Sequence, residues 1–236
     1  MPDGAGGPQA GRPEALDALS WPARGGRPRA LVVLCHGAAA SARQMHDLAA
    51  AWGEAVPDAA FLAPHAPRAR TSRHPYLLPL GRLRRREWFS LRDRSPAVEA
   101  AGLRAAAAAL DRTIEAALEA LDLGEDRLVL AGFSQGAMMA LFAGQRRAVA
   151  PLGLLSFAGG VPALPLLAGE LRNQAPVLLV HGEADPIVPV ARSRDSAQAL
   201  RGLGVPVQLL ALPEVGHEID LAGLYAGCAF LRRVLE

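Results

Sequence analysis

A serine between two glycines stands where an apolar run gives way to a helical pattern. The residues are Gly132-Phe133-Ser134-Gln135-Gly136, directly after Leu128–Ala131. The spacing alone is a weak signal, because glycine and serine are common. Its context is more specific. A strand that turns at once into a helix holds the residue between them in a strained turn, and small flanking residues keep the two elements from clashing. The hydroxyl of Ser134 then projects past the strand end. The backbone N–H of Gln135 faces the place where an attacked carbonyl oxygen gains charge, aided by the positive end of the helix. The chemistry this suits is nucleophilic attack on a carbonyl. The competing reading is a glycine-rich turn with Ser134 as N-cap, which leaves the abrupt strand-to-helix change unexplained.

A serine hydroxyl is a poor nucleophile and needs a base. Strand-to-helix nucleophiles of this type are followed in the chain first by an acid and then by a histidine. Only His181 and His217 lie beyond Ser134. His217 follows the apolar run Val207–Leu212, so it belongs to a loop at a strand end. Asp185, four residues after His181, falls between Ser134 and His217 in the required order. It would hold the imidazole in one tautomer and stabilise the imidazolium. His181 is then a structural residue at a strand end. Glu183 is the alternative acid, set back by its place directly after the His-Gly turn. Glu218 and Asp220 read as solvated or helix-capping carboxylates.

A second oxyanion donor is expected from the loop after the first buried strand. That loop is Cys35-His36-Gly37-Ala38-Ala39-Ala40, and the N–H of Ala38 is the candidate. His36 is read as orienting the loop, without a part in proton transfer. Cys35 is read as a small buried hydrophobe. The six histidines show no metal-ligand spacing, and no phosphate loop or dinucleotide fingerprint occurs, so no metal and no cofactor is expected. Arg82, Arg84, Arg85 and Arg86 form a short basic run without interleaved aromatics, which argues against nucleic acid as a partner.

The elements around these residues alternate. Apolar runs at 31–35, 60–63, 128–131, 152–157, 177–180 and 207–212 are separated by helical stretches near 42–55, 98–121, 135–145, 191–203 and 221–234. Such alternation predicts an α/β fold, with a mostly parallel central sheet and helices on both faces. Ligands then bind at the carboxyl ends of the strands, where Ser134, Asp185, His217 and Ala38 fall. Residues 1–28 are rich in Gly, Pro and Arg and read as a flexible lead-in holding at most one edge strand, and 29–236 as a single domain. Residues 64–97 carry many Pro and Arg without a clean period; loops of that length are usually functional or disordered. Hydrophobic residues make up 51% of the 236, enough for a sizeable core. Net charge is +2, and all 25 basic residues are arginine. So small an excess does not call for a polyanionic partner. Two cysteines in no redox spacing, and no apolar run of signal or membrane-spanning type, make the cytoplasm the expected location and an integral membrane role unexpected.

Several motifs occur together in one order: Leu34-Cys35-His36-Gly37, Ala63-Pro64-His65-Ala66-Pro67, Glu87-Trp88-Phe89-Ser90-Leu91, Gly132–Ala137, His181–Pro189 and Gly216-His217-Glu218-Ile219. From about Leu31 onward the chain resembles the phospholipase/carboxylesterase family, which includes acyl-protein thioesterases and has the α/β-hydrolase fold. The resemblance implies Ser134, Asp185 and His217 as catalytic triad, and the amides of Ala38 and Gln135 as oxyanion hole. It also implies Trp88, Phe89, Met138, Ile187 and Val188 near the substrate; for Trp88 and Phe89, a loop anchor packed on the core is the alternative. The implied substrate is a small or medium acyl ester or thioester. The chain departs from the family pattern in its Ala-rich loop Ala38-Ala39-Ala40-Ser41-Ala42-Arg43 and in a long basic stretch, His74–Arg86. Other readings are a peptidase or dienelactone-type hydrolase on the same fold, a non-catalytic binding protein, and an oligomeric scaffold. The oligomeric state is open, with a homodimer among the options.

Overall fold

The computed structural model describes residues 15–69, 85–93 and 95–236. The elements run in chain order: β1 (Ala18–Trp21), β2 (Ala30–Cys35), a 3-10 turn (Ala42–Met45), α1 (His46–Ala55), β3 (Ala59–Pro64), β4 (Arg68–Ala69), β5 (Arg86–Glu87), α2 (Pro96–Leu121), a second 3-10 turn (Glu125–Arg127), β6 (Leu128–Phe133), α3 (Gln135–Gly144), β7 (Gly153–Phe157), α4 (Leu164–Glu170), β8 (Val177–Gly182), α5 (Ala191–Gly202), β9 (Val207–Leu212) and α6 (Leu221–Leu235). Seven strands form one sheet in the order β1-β3-β2-β6-β7-β8-β9, and β4 pairs with β5 apart from it. All neighbours in the large sheet are parallel except β1, which runs antiparallel to β3. This is the α/β-hydrolase fold.

The strand sequences explain their places. β2, β3, β6, β7 and β8 are buried at every position, so they read as unbroken apolar runs rather than alternating ones. Helices close both faces. On one side Leu103, Leu110 and Ile114 of α2 pack with Met139 and Phe142 of α3 and Leu200 of α5. On the other Trp52 of α1 packs with Phe61, Phe133, Phe157 and Phe230 of α6. All ten residues of α3 are buried, which is why its sequence is apolar on every side. α2 is an alanine-rich helix begun by Pro96 at its first position and ended by Asp122 in the left-handed region, φ 54°.

Chain order sets the position of the site. From β2 the chain moves outward to β3, then returns past β2 to β6 on its other side. The direction of winding therefore reverses between β2 and β6, and the crevice at such a switch point is where open α/β sheets bind ligands. Ser134 follows β6 and Ala38 follows β2.

Ala18–Trp21 is the edge strand that the sequence allows within residues 1–28, and it pairs with β3. Two features differ from the sequence expectations. The stretch between β7 and β8 contains α4, with Pro165 in its first turn and Leu167 buried. Seven residues carry too little periodicity to stand out, and a proline there signals a loop as readily as a helix start. The helical stretch expected over 42–55 is a 3-10 turn followed by α1. Among the described residues no helix is long and apolar enough to cross a membrane. Tyr76–Leu78, and Arg82 and Arg84, lie outside the described residues.

Candidate active site

Ser134 joins β6 to α3 with φ 54° and ψ −117°, a backbone geometry costly for any residue with a Cβ. The close approach of three chain segments maintains it. A Cβ on Gly132 would lie 2.4 Å from the Gly136 carbonyl carbon, and one on Gly136 would lie 2.0 Å from the Cys35 carbonyl oxygen. Both positions therefore require glycine. The Ser134 N–H donates to the Phe157 carbonyl at 2.8 Å, and the Ser134 carbonyl accepts from Met138 N–H at 3.1 Å.

Ser134 Oγ lies 3.0 Å from His217 Nε2, and His217 Nδ1 lies 2.7 Å from Asp185 Oδ2. The carboxylate accepts at Nδ1, so that nitrogen carries the proton and Nε2 is left to accept from the serine hydroxyl. The far oxygen of Asp185 accepts from the amides of Ile187, 2.8 Å, and Val188, 2.9 Å. Burial pushes the Asp185 carboxyl up, but the bonds from His217, Val188 and Ile187 outweigh it and hold the group below its ordinary value. The carboxyl is thus ionised at neutral pH. The His217 ring leans on Phe133, centroid to centroid 4.8 Å.

His181 is a support for this arrangement. Its Nε2 donates to the Val188 carbonyl at 2.8 Å, its Nδ1 accepts from Ser193 Oγ at 2.7 Å, and Nε2 also lies 3.2 Å from Asp185 Oδ2. The ring thereby fixes the loop whose amides hold Asp185. Glu183 faces outward and pairs with Arg194. Asp220 caps α6, accepting from Gly223 N–H at 2.8 Å.

The loop after β2 is held residue by residue. Gly37 N–H donates to Gln44 Oε1 at 2.8 Å, Ala39 N–H to the Arg86 carbonyl at 2.8 Å and Ala40 N–H to the Gly37 carbonyl at 3.3 Å. Ala39 sits at φ 62°. Between these committed amides, Ala38 lies on the wall of a cavity of about 480 Å³ that also holds Ser134, Gln135 and His217. His36 is fully buried beneath the loop. Its Nε2 accepts from Ala66 N–H at 3.0 Å, so Nδ1 carries the proton and donates to the Gly37 carbonyl at 2.7 Å. Burial, with smaller contributions from the charges of His65 and Arg86, lowers its pKa to about 4 against the pull of the Gly37 carbonyl. The ring is therefore neutral at pH 7. Cys35 is buried too, which raises its thiol well above the usual range.

Phe89, Met138, Ile187 and Val188 line the same cavity, together with Asp93, Glu99 and Arg192. Ile187 is 68% exposed at its mouth. Trp88 does not line it. The indole is 1% exposed, packs on the His36 ring with centroids 5.6 Å apart, and donates from Nε1 to the His36 carbonyl at 2.8 Å. A large ring with one polar atom is best placed with the body in the core and the N–H on a buried acceptor, and Trp88 meets both demands.

One functional feature is not legible in the motif. The buried side chain of Gln135 accepts from Trp88 N–H at 2.9 Å and donates to the Phe89 carbonyl at 2.8 Å. The residue next to the serine therefore clamps the 85–93 segment, and Trp88 passes that restraint to His36. In sequence Gln135 occupies a position of free choice between Ser and Gly, and only the partner 46 or 47 residues away reveals its task.

Residues 22–235 match the model of the phospholipase/carboxylesterase family. The chain belongs to that family. An acyl-protein thioesterase 1 of Gibberella zeae is 30% identical over 187 residues, covering 74% of this chain and 77% of that one. An acyl-protein thioesterase 1 homolog of Dictyostelium discoideum is 28% identical over 119 residues, 48% of this chain; the match spans about half of that relative's length, 53%. Among solved structures, esterase PE8 is 33% identical and superposes with a TM-score of 0.83 over 93% of this chain and 99% of its own. The family match extends over β2, β6, β8 and the loop after β9, which between them position the serine, the carboxylate, the histidine and the Ala38 loop.

Proposed function

We propose that this family member is a serine carboxylesterase or thioesterase that works through Ser134, His217 and Asp185 and a covalent acyl-enzyme. The observation that carries the reading is the unbroken hydrogen-bonded chain from Ser134 Oγ through His217 to Asp185, at 3.0 and 2.7 Å, on a strained strand-to-helix turn. The ester or thioester carbonyl enters the cavity beside Ser134. As Oγ attacks, His217 Nε2 takes its proton, and Asp185 stabilises the imidazolium. The oxyanion accepts from the amides of Gln135 and Ala38, with the N-terminus of α3 adding to the favourable field. His217 then returns the proton to the departing alcohol or thiol. Water, activated by the same ring, hydrolyses the acyl-enzyme. Phe89, Met138, Ile187 and Val188 contact the acyl group. The names of the fungal and amoebal relatives make acyl thioesters on protein one substrate class to test, and esterase PE8 makes simple esters another.

The test is Ser134→Ala with a panel of p-nitrophenyl esters and acyl thioesters of graded chain length. Turnover falls by roughly 10⁴- to 10⁶-fold while the circular dichroism spectrum is kept. A fluorophosphonate probe labels the wild type and not the variant. Near-normal hydrolysis by Ser134→Ala would refute the assignment.

A further inference from the structure

We infer that the leaving group has a site of its own, an apolar groove on the far side of His217, and that an uncharged or cationic apolar alcohol or thiol fits it. This inference rests on the proposed acyl transfer at Ser134 and adds to it a second subsite. A groove of about 490 Å³ is lined by Met45, Leu48 and Ala51 from the 3-10 turn and α1, by Phe133, by Ile219 just before α6 and by Leu224 within it. His217 borders this groove and also the cavity that contains Ser134.

The stereochemistry of acyl transfer assigns the two spaces. Three groups on the tetrahedral carbon must diverge: the oxyanion, the acyl chain and the leaving atom. The oxyanion faces Ala38 and Gln135. The acyl chain has the cavity of Phe89, Met138 and Val188, which Ser134 itself lines. The leaving oxygen or sulfur must stay within reach of His217 Nε2 to receive its proton. What is attached to that atom then extends past the imidazole, and the space it meets is the groove. Phe133 forms part of that wall, 4.8 Å from the His217 ring centre to centre. The groove is also tied to the oxyanion loop, because Gln44, one of its lining residues, holds the Gly37 N–H at 2.8 Å.

The lining sets the chemical class. Apolar side chains reward an alkyl or aryl group at about 25 cal/mol per Å² removed from water. The charged residues on the lining are Asp47 and Glu218, both exposed carboxylates. They disfavour anionic leaving groups such as phosphate-bearing thiols and tolerate cations.

The experiment keeps the acyl group constant and varies the alcohol. Methyl acetate and 2-naphthyl acetate are compared in wild type and Ala51→Trp, a half-exposed α1 position where an indole would fill the groove. The expected result is a fall of roughly tenfold in kcat/KM for the naphthyl ester, the loss of about 1.4 kcal/mol of apolar contact. The methyl ester changes less than twofold. Hydrolysis of the shared acetyl-enzyme and the rate of fluorophosphonate labelling are unchanged, because neither involves the alcohol. If Ala51→Trp also loses labelling, Ile219→Ala decides instead, with a selective fall of about threefold for the naphthyl ester. Equal losses for both esters, or a changed preference for acyl length at constant alcohol, overturn the leaving-group site. If hydrolysis proves independent of Ser134, the underlying reading fails instead, so the two failures are distinct.

Discussion

The proposed reacting groups and the wall that faces them are held in different ways. Ser134, Asp185 and His217 each follow a strand of the same parallel sheet, β6, β8 and β9, and their positions derive from strand register. The opposite wall, residues 36–40 and 85–93, derives from loops. There the order comes from side chains reaching backbone groups: Gln135 to Trp88 and Phe89, Trp88 to His36, His36 to Ala66, Gln44 to Gly37. Sheet register is shared by many hydrogen bonds, so it tolerates the loss of any one. A chain of single side-chain bonds passes each loss along. The strand side is therefore expected to fail chemically while keeping its shape, and the loop side to fail by loosening.

Asp185→Asn is the largest test of the strand side. The amide can still accept from Ile187 and Val188, so the loop keeps its course, but it presents a donor or a neutral oxygen to His217 Nδ1. The wrong tautomer is then favoured and kcat falls about 10⁴-fold, as in other triads. The unfolding free energy stays within about 1 kcal/mol of wild type. A large loss of stability with modest loss of turnover would reverse the contrast.

On the loop side, His36 links pH to stability. The folded ring resists protonation down to about 4, whereas an unfolded histidine takes a proton near 6.5. Between those values the unfolded state binds the extra proton, so stability falls as pH falls through that window, by up to about 3 kcal/mol. Burial and Arg86 also lower His65, which acts in the same direction. Asp185 acts separately: its folded value is depressed, so its contribution is lost only as pH drops below the ordinary carboxylate range. Urea denaturation at pH 7, 5.5 and 4.5 measures the slope, and His36→Gln flattens it. An equal slope in both proteins would remove His36 from the wall's support.

The same contrast explains what could be read from the chain. The strand-borne residues carry local signatures: an apolar run, a turn residue type and an order in sequence. Ser134, Asp185 and His217 can be proposed from the sequence because each follows a strand end in the required order, with Glu183 the competing acid and His181 the other histidine. The loop-borne contacts have no local signature. For Trp88 the sequence leaves open a substrate contact or a loop anchor packed on the core, and only its partner His36, 52 residues distant, decides for the anchor. For Gln135 the turn suggests a backbone role, while its side-chain contacts have no local signal. α4 was invisible for a third reason, being too short for a period of 3.6 to emerge.

Gln135→Ala breaks the clamp and leaves both proposed oxyanion amides in the chain. It frees the Trp88 N–H and the Phe89 carbonyl, buried groups whose loss of partners costs about 1–3 kcal/mol each. If the wall is held as described, kcat falls roughly 10- to 100-fold. KM for short esters changes little, because a loosened hole weakens the transition state more than the ground state. Gln135→Glu keeps one acceptor for Trp88 N–H and regains part of the loss. A rise in KM with kcat intact would instead place the effect in substrate binding.

Trp88→Phe is the finest division. It keeps a buried aromatic ring, smaller than the indole, and removes the N–H that reaches the His36 carbonyl at 2.8 Å. The lost hydrogen bond is worth about 1 kcal/mol and the space left by the smaller ring adds to it, so stability falls by roughly 1–3 kcal/mol and kcat by less than tenfold. The decisive quantity is coupling. If Gln135 and Trp88 act in series on His36, the double variant Gln135→Ala with Trp88→Phe loses little more activity than Gln135→Ala alone. If the losses multiply, the two bonds hold the wall independently, and the strand side and the loop side differ less than their geometry indicates.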